Sequence, residues 1–296
     1  MMIDPTHASS LPEPSQGMTL RVYHLTRFHY KGVVLDSYND ARLCPISDPL
    51  QRCASFKLTV KPDVPIRTHF DFYQNRVDHF ELHKPHETLD VLAESVVETR
   101  VDTRGEPGPG AGVEALDDPS IDENYFDFVG DSNFVTLSAD VWREAVDVVG
   151  GPAKDLWADA MKIGRHIYTN FQYEPLSTHV HTSASEVLAD RRGVCQDFAH
   201  VMLGMCRSSG IPARYVSGYF FNDKTGDEVE ASHAWVEVFL PHFGWKGFDP
   251  THDRPSDSRY IKLAIGRDYK DIKPISGTLR GKGTERLEVD VKIRRV

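Results

Sequence analysis

The sequence predicts an α+β protein, a small antiparallel β domain followed by a core in which a helix packs on an antiparallel sheet. Three patterns carry that expectation. Apolar and polar residues alternate through much of the first 100 residues, as in half-buried strands. Near Ser138 the period lengthens to the i, i+3, i+4 spacing of helices and holds to Cys206. From ARYVSGYF (213–220) it shortens to two again.

Taken in order, residues 1–18 are polar and contain several prolines, and are expected to form a disordered tail. The β domain is placed at 19–104. There Leu20, Val22 and His24 alternate with Arg21 and Tyr23, and Phe56, Leu58 and Val60 alternate with Lys57 and Thr59. RTHFDFYQNRVDHFELH and TLDVLAESVVETRV read as further strands. Residues 105–137 begin with Gly and Pro and continue with acids, which suggests a solvated acidic linker; no Asp-x-Asp-x-Asp-Gly cation loop is present. The core is placed at 138–280. Ser138 is the cap candidate for SADVWREAV, Leu156, Met161, Ile163 and Ile167 mark a second helix, and Thr182 or Ser183 starts a short third. Phe198, Val201, Met202, Met205 and Cys206 form one stripe of a fourth, which Gly210 and Pro212 stop. Residues 281–296 alternate Leu287, Val289, Val291 and Ile293, a strand able to return to the N-terminal domain.

A length of 296 residues suits about two domains, and 15 Phe, 11 Tyr and 4 Trp suffice for a core. The net charge of −10 argues against nucleic-acid and anionic-membrane partners, which reward a basic face. No basic-then-apolar leader opens the chain and no window of 18 apolar residues occurs, so the expected location is cytoplasmic. Oligomeric state leaves no mark in the pattern. Four cysteines make no disulfide framework. Cys44 and Cys53 are near enough in sequence to pair, but all four are expected as thiols. Cys195 and Cys206 on one helix would stand about 16 Å apart, too far to bridge. His179 and His181 form an H-x-H too sparse for a metal site.

The chemistry gathers at RRGVCQDFAHVMLGMCRSSGIPARYVSGY (191–219). Cys195 falls at the first turn of the fourth helix, where unpaired N–H groups and the positive end of the helix dipole favour a thiolate and can receive an oxyanion. Cys206, on the apolar stripe, serves as the control: plain core. A nucleophilic thiol needs a base and an orienting group. In SHAWVEVFL, Ala234, Val236, Val238 and Leu240 form an apolar face, while His233, Trp235 and Glu237 share the other. Asp249 ends the next strand, in FDPTHD. The two strands form a hairpin, and its register decides the matter. Pairing Leu240 with Trp245 sets Asp249 on the wrong face; pairing Phe239 with Trp245 sets it opposite Trp235 and diagonal to His233.

GVCQDFAHVMLGMCRSSGIPARYVSGY, SHAWVEVFLPHFGWKGFDPTHD and IGRDYKDIKPISG together resemble the bacterial transglutaminase-like family, within the papain-like superfamily that includes animal transglutaminases and peptide N-glycanases. The resemblance covers about 150–280, and the N-terminal β region is similar to the family's accessory domain. It implies a papain-like transglutaminase core and a Cys-His-Asp triad of Cys195, His233 and Asp249. The chemistry implied is acyl transfer through a thioester on a peptide or protein substrate, with no cofactor and no metal. Tyr173 is the oxyanion candidate beside the Cys195 N–H. Gln196, Trp235, Asp268 and Tyr269 are cleft-lining candidates, and Asp197 is expected to buttress the helix start. Amide hydrolysis by a protease or peptidase-like amidase is the expected activity. A protein-glutamine transglutaminase is the alternative, and a non-catalytic peptide-binding module the second.

Overall fold

In the computed structural model, residues 16–118, 120, 121, 123–175, 183–222 and 232–296 are described. Most of the expected tail, the H-x-H pair His179 and His181, and Thr182 lie outside them.

The chain opens with six strands: β1 (Thr19–Val34), β2 (Asp36–Ala41), β3 (Gln51–Lys61), β4 (Ile66–Phe70), β5 (Arg76–Leu82) and β6 (His86–Thr99). The sequence pattern passed over β2, whose DSYNDA carries too few apolar residues to register. It also ran β4 and β5 together. They are a hairpin because the Asp71 carboxylate accepts the N–H groups of Tyr73 and Asn75, while Gln74 takes a left-handed φ of 62°.

The helices follow as α1 (Ala139–Val149), α2 (Leu156–Asn170), α3 (Ala184–Asp190) and α4 (Cys195–Ser208). Two-residue strands β7 (Gln172–Tyr173) and β8 (Arg192–Gly193) frame α3, which Ser183 caps with a reciprocal bond from Glu186. A five-stranded antiparallel sheet comes next, from β9 (Ala213–Phe220), β10 (His233–Leu240), β11 (Gly244–Asp249), β12 (Arg254–Pro255) and β13 (Tyr260–Gly266), in the order β12-β11-β10-β9-β13. Helix α4 is buried on nearly every side, because α1, α2 and α3 cover one flank and β9 and β10 the other. Cys206 is fully buried within it, and burial pushes its thiol up to about 12.

Two last strands go back to the N-terminal half. β14 (Ile275–Arg280) pairs with β2, and β15 (Thr284–Arg295) pairs with β1. The result is two four-stranded sheets, β15-β1-β6-β3 and β14-β2-β5-β4, around one apolar core. The strand reading of 281–296 thus finds its partner, and 275–280, placed with the core from the sequence, lies in the N-terminal sheet. The two halves are welded: Tyr219 and Phe221 at the end of β9, with Ile261 and Leu263 of β13, sit in the sandwich core.

The 105–137 segment departs from the solvated linker expected. Val113–Asp117 and Glu123–Phe128 are short 3-10 turns, and Ile121, Tyr125, Phe128, Phe134 and Val135 are buried. The Tyr125 ring stacks on Phe239 at 5.1 Å. Its apolar residues follow no helix or strand period, so patterning did not reveal them.

Where the halves meet, the Glu237 carboxylate is buried between two cations. Arg214 donates to Oε2 at 2.8 and 2.6 Å, and the Lys262 ammonium lies 2.5 Å from Oε1. Burial disfavours the charged form, but the charges of Lys262 and Arg214 outweigh it and hold Glu237 at about 2. A depressed carboxylate contributes stability above its unfolded value and loses it as pH falls through the folded one. Glu237→Gln is therefore expected to cost about 3–5 kcal/mol at neutral pH by stranding the cations. The gap from wild type, read by urea unfolding, should narrow as pH falls from about 4.5 towards about 2.

Candidate active site

Cys195 is the first residue of α4. Three local features put it there. The Asp197 carboxylate reaches back to accept the Val194 N–H at 2.8 Å, closing the first turn, as expected of it. Gly193 permits that closure, since a Cβ there would stand 2.7 Å from Asp197 Cβ. The parallel β7–β8 bridge sets Tyr173 beside Gly193, with the Glu174 N–H bonded to the Gly193 carbonyl at 2.9 Å. Tyr173 is thus held two residues from the thiol's position, edge-on to Phe198 at 6.1 Å.

The hairpin adopts the register that brings the other two residues together. Phe239 pairs with Trp245 and Val236 with Phe248. Leu240 also pairs with Gly244, so the connection is shorter than the five residues expected while the facing is the same. Asp249 meets His233 with Oδ2 2.7 Å from Nε2. The Cys195 thiol also acts on the ring through a hydrogen bond and its charge. His233 is thus a bridge between thiol and carboxylate, 7% exposed, while Asp249 is 0% exposed.

Electrostatics follow from this burial. Desolvation works against a charged His233, but the charge and hydrogen bond of Asp249, then those of Cys195, hold it well above its ordinary value. Desolvation likewise works against ionised Asp249, and His233 and His252 reverse it, keeping Asp249 well below the usual carboxylate range. The His233 contribution to stability is complete below its unfolded value and lost as pH rises through the raised folded one.

Sequence reasoning missed three partners of Asp249. His252 Nδ1 lies 2.7 Å from the same Oδ2, and the Tyr260 hydroxyl donates to it at 2.8 Å. The Thr251 N–H takes Oδ1 at 2.8 Å. His252 follows Asp249 within DPTH, so the sequence offered a hint; Tyr260 comes from a separate strand. His233, Asp249 and His252 place one ligand atom each within 4.8 Å, the spread a metal would need. Their mutual hydrogen bonds already account for the cluster. Tyr215 was also missed: its phenol is fully buried and feels the Cys195 charge.

The cleft-lining candidates divide. Gln196 is half-buried at the second position of α4. Trp235 is 1% exposed and stacks at 24° behind the His233 ring, 6.1 Å away, so it backs the imidazole rather than facing solvent. Asp268 is a correction. It is fully buried, and its oxygens accept the N–H groups of Phe134 and Lys270, a loop-holding role. Tyr269 is half-buried, packs on the core and donates its backbone N–H to His200 Nε2 at 3.2 Å.

Residues 144–250 match the transglutaminase-like superfamily core, and 20–98 match the bacterial transglutaminase-like N-terminal region. An uncharacterized Mycobacterium tuberculosis protein is 34% identical over 300 residues, 96% of this chain and 95% of that one. An uncharacterized Mycobacterium leprae protein is 33% identical over 284 residues, covering 94% and 99%. A Pseudomonas aeruginosa protein-glutamine gamma-glutamyltransferase is 33% identical over 101 residues, 29% of this chain and 14% of that protein. A candidate cysteine protease from Cytophaga hutchinsonii has the same fold, with a TM-score of 0.76 and 23% identity over 94% of this chain and 91% of that one. The chain belongs to the transglutaminase-like superfamily, with the bacterial N-terminal region ahead of the core.

Iodoacetamide labelling read by mass spectrometry for each cysteine tests the bridge. Cys195 should label fastest of the four, and His233→Ala should abolish that advantage. A Cys195 rate no greater than that of Cys44, or one unchanged in His233→Ala, would remove the bridge.

Proposed function

We propose that this chain is a cysteine-dependent amide hydrolase or acyltransferase that works through a thioester, and that its activity is that of a protease or peptidase-like amidase. The observation that carries the reading is the His233 ring held between the Cys195 thiol and the buried Asp249 carboxylate. Those are the nucleophile, base and orienting group that acyl transfer needs.

In this reading His233 takes the Cys195 proton and the thiolate attacks the carbonyl carbon of an amide. The tetrahedral oxyanion is received by the Cys195 N–H at the start of α4, with Tyr173 as the second donor. As the C–N bond breaks, His233 returns the proton to the leaving amine or ammonia. Water, activated by the same imidazole, then cleaves the thioester. Asp249 keeps the ring in one tautomer, and His252, Tyr260 and the Thr251 N–H keep Asp249 in place. The substrate is a peptide or protein. Among the described residues no helix is long and apolar enough to cross a membrane. A cytoplasmic location is part of the proposal.

A second reading has an amine resolve the thioester, which would make the chain a protein-glutamine transglutaminase. The similarity to the Pseudomonas aeruginosa gamma-glutamyltransferase favours it over 101 residues. Hydrolysis and transamidation share every step up to the thioester. They differ in whether water is kept from it.

The test is to incubate the protein with casein and glutamine-containing peptides, with and without a fluorescent primary amine. New peptide termini or released ammonia without amine incorporation support hydrolysis; incorporated amine supports transamidation. Cys195→Ala should abolish either, and Asp249→Asn should lower kcat/KM by about ten-thousand-fold. Bound peptide with no turnover, and no thioester trapped by hydroxylamine, would instead mark a binding module.

A further inference from the structure

Outside the candidate site, the N-terminal sandwich holds two thiols on the two arms of one loop. Cys44 follows β2 and is 8% exposed, while Cys53 lies in β3 and is half-buried. The Asp48–Gln51 bridge and the bond from the Cys53 N–H to Ser47 Oγ at 3.0 Å lay the two arms that carry them side by side, and the Cys44 thiol feels the Cys53 charge. Each thiol donates to nearby backbone, Cys44 to the Pro45 carbonyl at 3.8 Å and Cys53 to the Ser55 carbonyl at 3.4 Å. At Cys53 the β3–β6 register slips: Cys53 pairs with Val97 and Ser55 with Val96, leaving Ala54 unpaired. A bulge turns its strand and locally breaks the ladder, which brings a side chain out of the regular pleat. The groups facing the pair include the Arg76 guanidinium and the Asp78 carboxylate.

We infer that Cys44 and Cys53 form a dithiol modification site that closes reversibly to a disulfide, with Cys53 the thiol that meets the oxidant. Cys53 is the more exposed of the two, and its partner's hydrogen bond, then the Arg76 charge, bring its thiol down to about 7. Cys44 is buried and pushed up, the character of a resolving thiol. The oxidant is a low-molecular-weight disulfide such as oxidised glutathione. The Cys53 thiolate attacks one of its sulfurs, the S–S bond breaks and one glutathione thiol leaves. The Cys44 sulfur, its proton passing to solvent, then attacks Cys53 and releases the second. Two protein thiols are oxidised to one disulfide as one glutathione disulfide is reduced to two thiols.

The loop that this bond would close is the one that grips the core sheet. Ile46 N–H donates to the Lys262 carbonyl at 3.0 Å. The Gln51 amide donates to that carbonyl at 2.8 Å, and its oxygen receives the Lys262 N–H at 2.8 Å. Asp48 pairs with the Lys262 ammonium at 2.9 Å. Lys262 lies in β13, two residues beyond the Tyr260 that bonds Asp249. A bond across 44–53 therefore restrains the loop in its gripping conformation and lowers the entropy of the unfolded chain.

The test exposes the full chain to graded ratios of oxidised to reduced glutathione, quenches with N-ethylmaleimide and digests with trypsin without reduction. Cleavage after Arg42, Arg52 and Lys57 separates the two cysteines, so a disulfide appears as peptide 43–52 joined to 53–57. The expected result is that joined species in the monomer, lost on reduction. Cys44→Ser should leave Cys53 capped by glutathione, and Cys53→Ser should leave Cys44 unmodified. The oxidised protein should melt at a higher temperature than the reduced one, a difference absent from both variants. Cys53 capped by glutathione in wild type with no joined peptide would overturn the inference. So would joined peptides found only between chains or to Cys195. A lower melting temperature on oxidation would overturn the restraint of the loop.

Discussion

A carboxylate with no solvent exposure must find donors for both oxygens inside the protein, and Asp249 draws them from three parts of the chain. Its own turn supplies the Thr251 N–H and the His252 ring, β10 supplies His233, and β13 supplies Tyr260. Desolvation alone would neutralise such a group; the two histidines reverse the outcome. His233 is then held charged by the anion it faces. The position of the ring beside Cys195 follows from that pairing rather than from packing around the thiol.

The N-terminal sandwich belongs to this scaffold. Lys262 joins the Gln51 side chain to β13 and pairs its ammonium with both Asp48 and Glu237. Tyr219, Phe221, Ile261 and Leu263 enter the sandwich core from the same two strands. The strand that carries Tyr260 to Asp249 is therefore fastened on the side away from the site. As an edge strand of the five-stranded sheet, β13 would otherwise have only β9 to hold it.

The two ends of the chain meet in that sandwich. β15 completes the sheet beside β1, and β14 the sheet beside β2. Val291 and Ile293 are buried there, whereas Leu287 and Val289, on the same face, are 54% and 45% exposed. Alternation told which residues share a face, but not how far along the strand the opposite sheet extends.

Several things were legible in the sequence because the chemistry that needs them is local. The start of α4 is written in Gly193, Cys195 and Asp197, within one turn of chain. The facing of Asp249 turned on the hairpin register, and Phe239 opposite Trp245, the pairing that faces it to His233, is the one found, across a shorter connection than expected. Long-range partners were not legible. Nothing near Tyr260 marks it as a donor to Asp249, and Asp268, next to Tyr269 in a family-like motif, proved to hold the 134 loop from inside. The sequence by itself determined which residues can do chemistry and which faces of each element turn inward, because side-chain type and period act within a few residues. Only the tertiary structure decided which buried polar groups satisfy one another, because that depends on strands brought together across the whole chain.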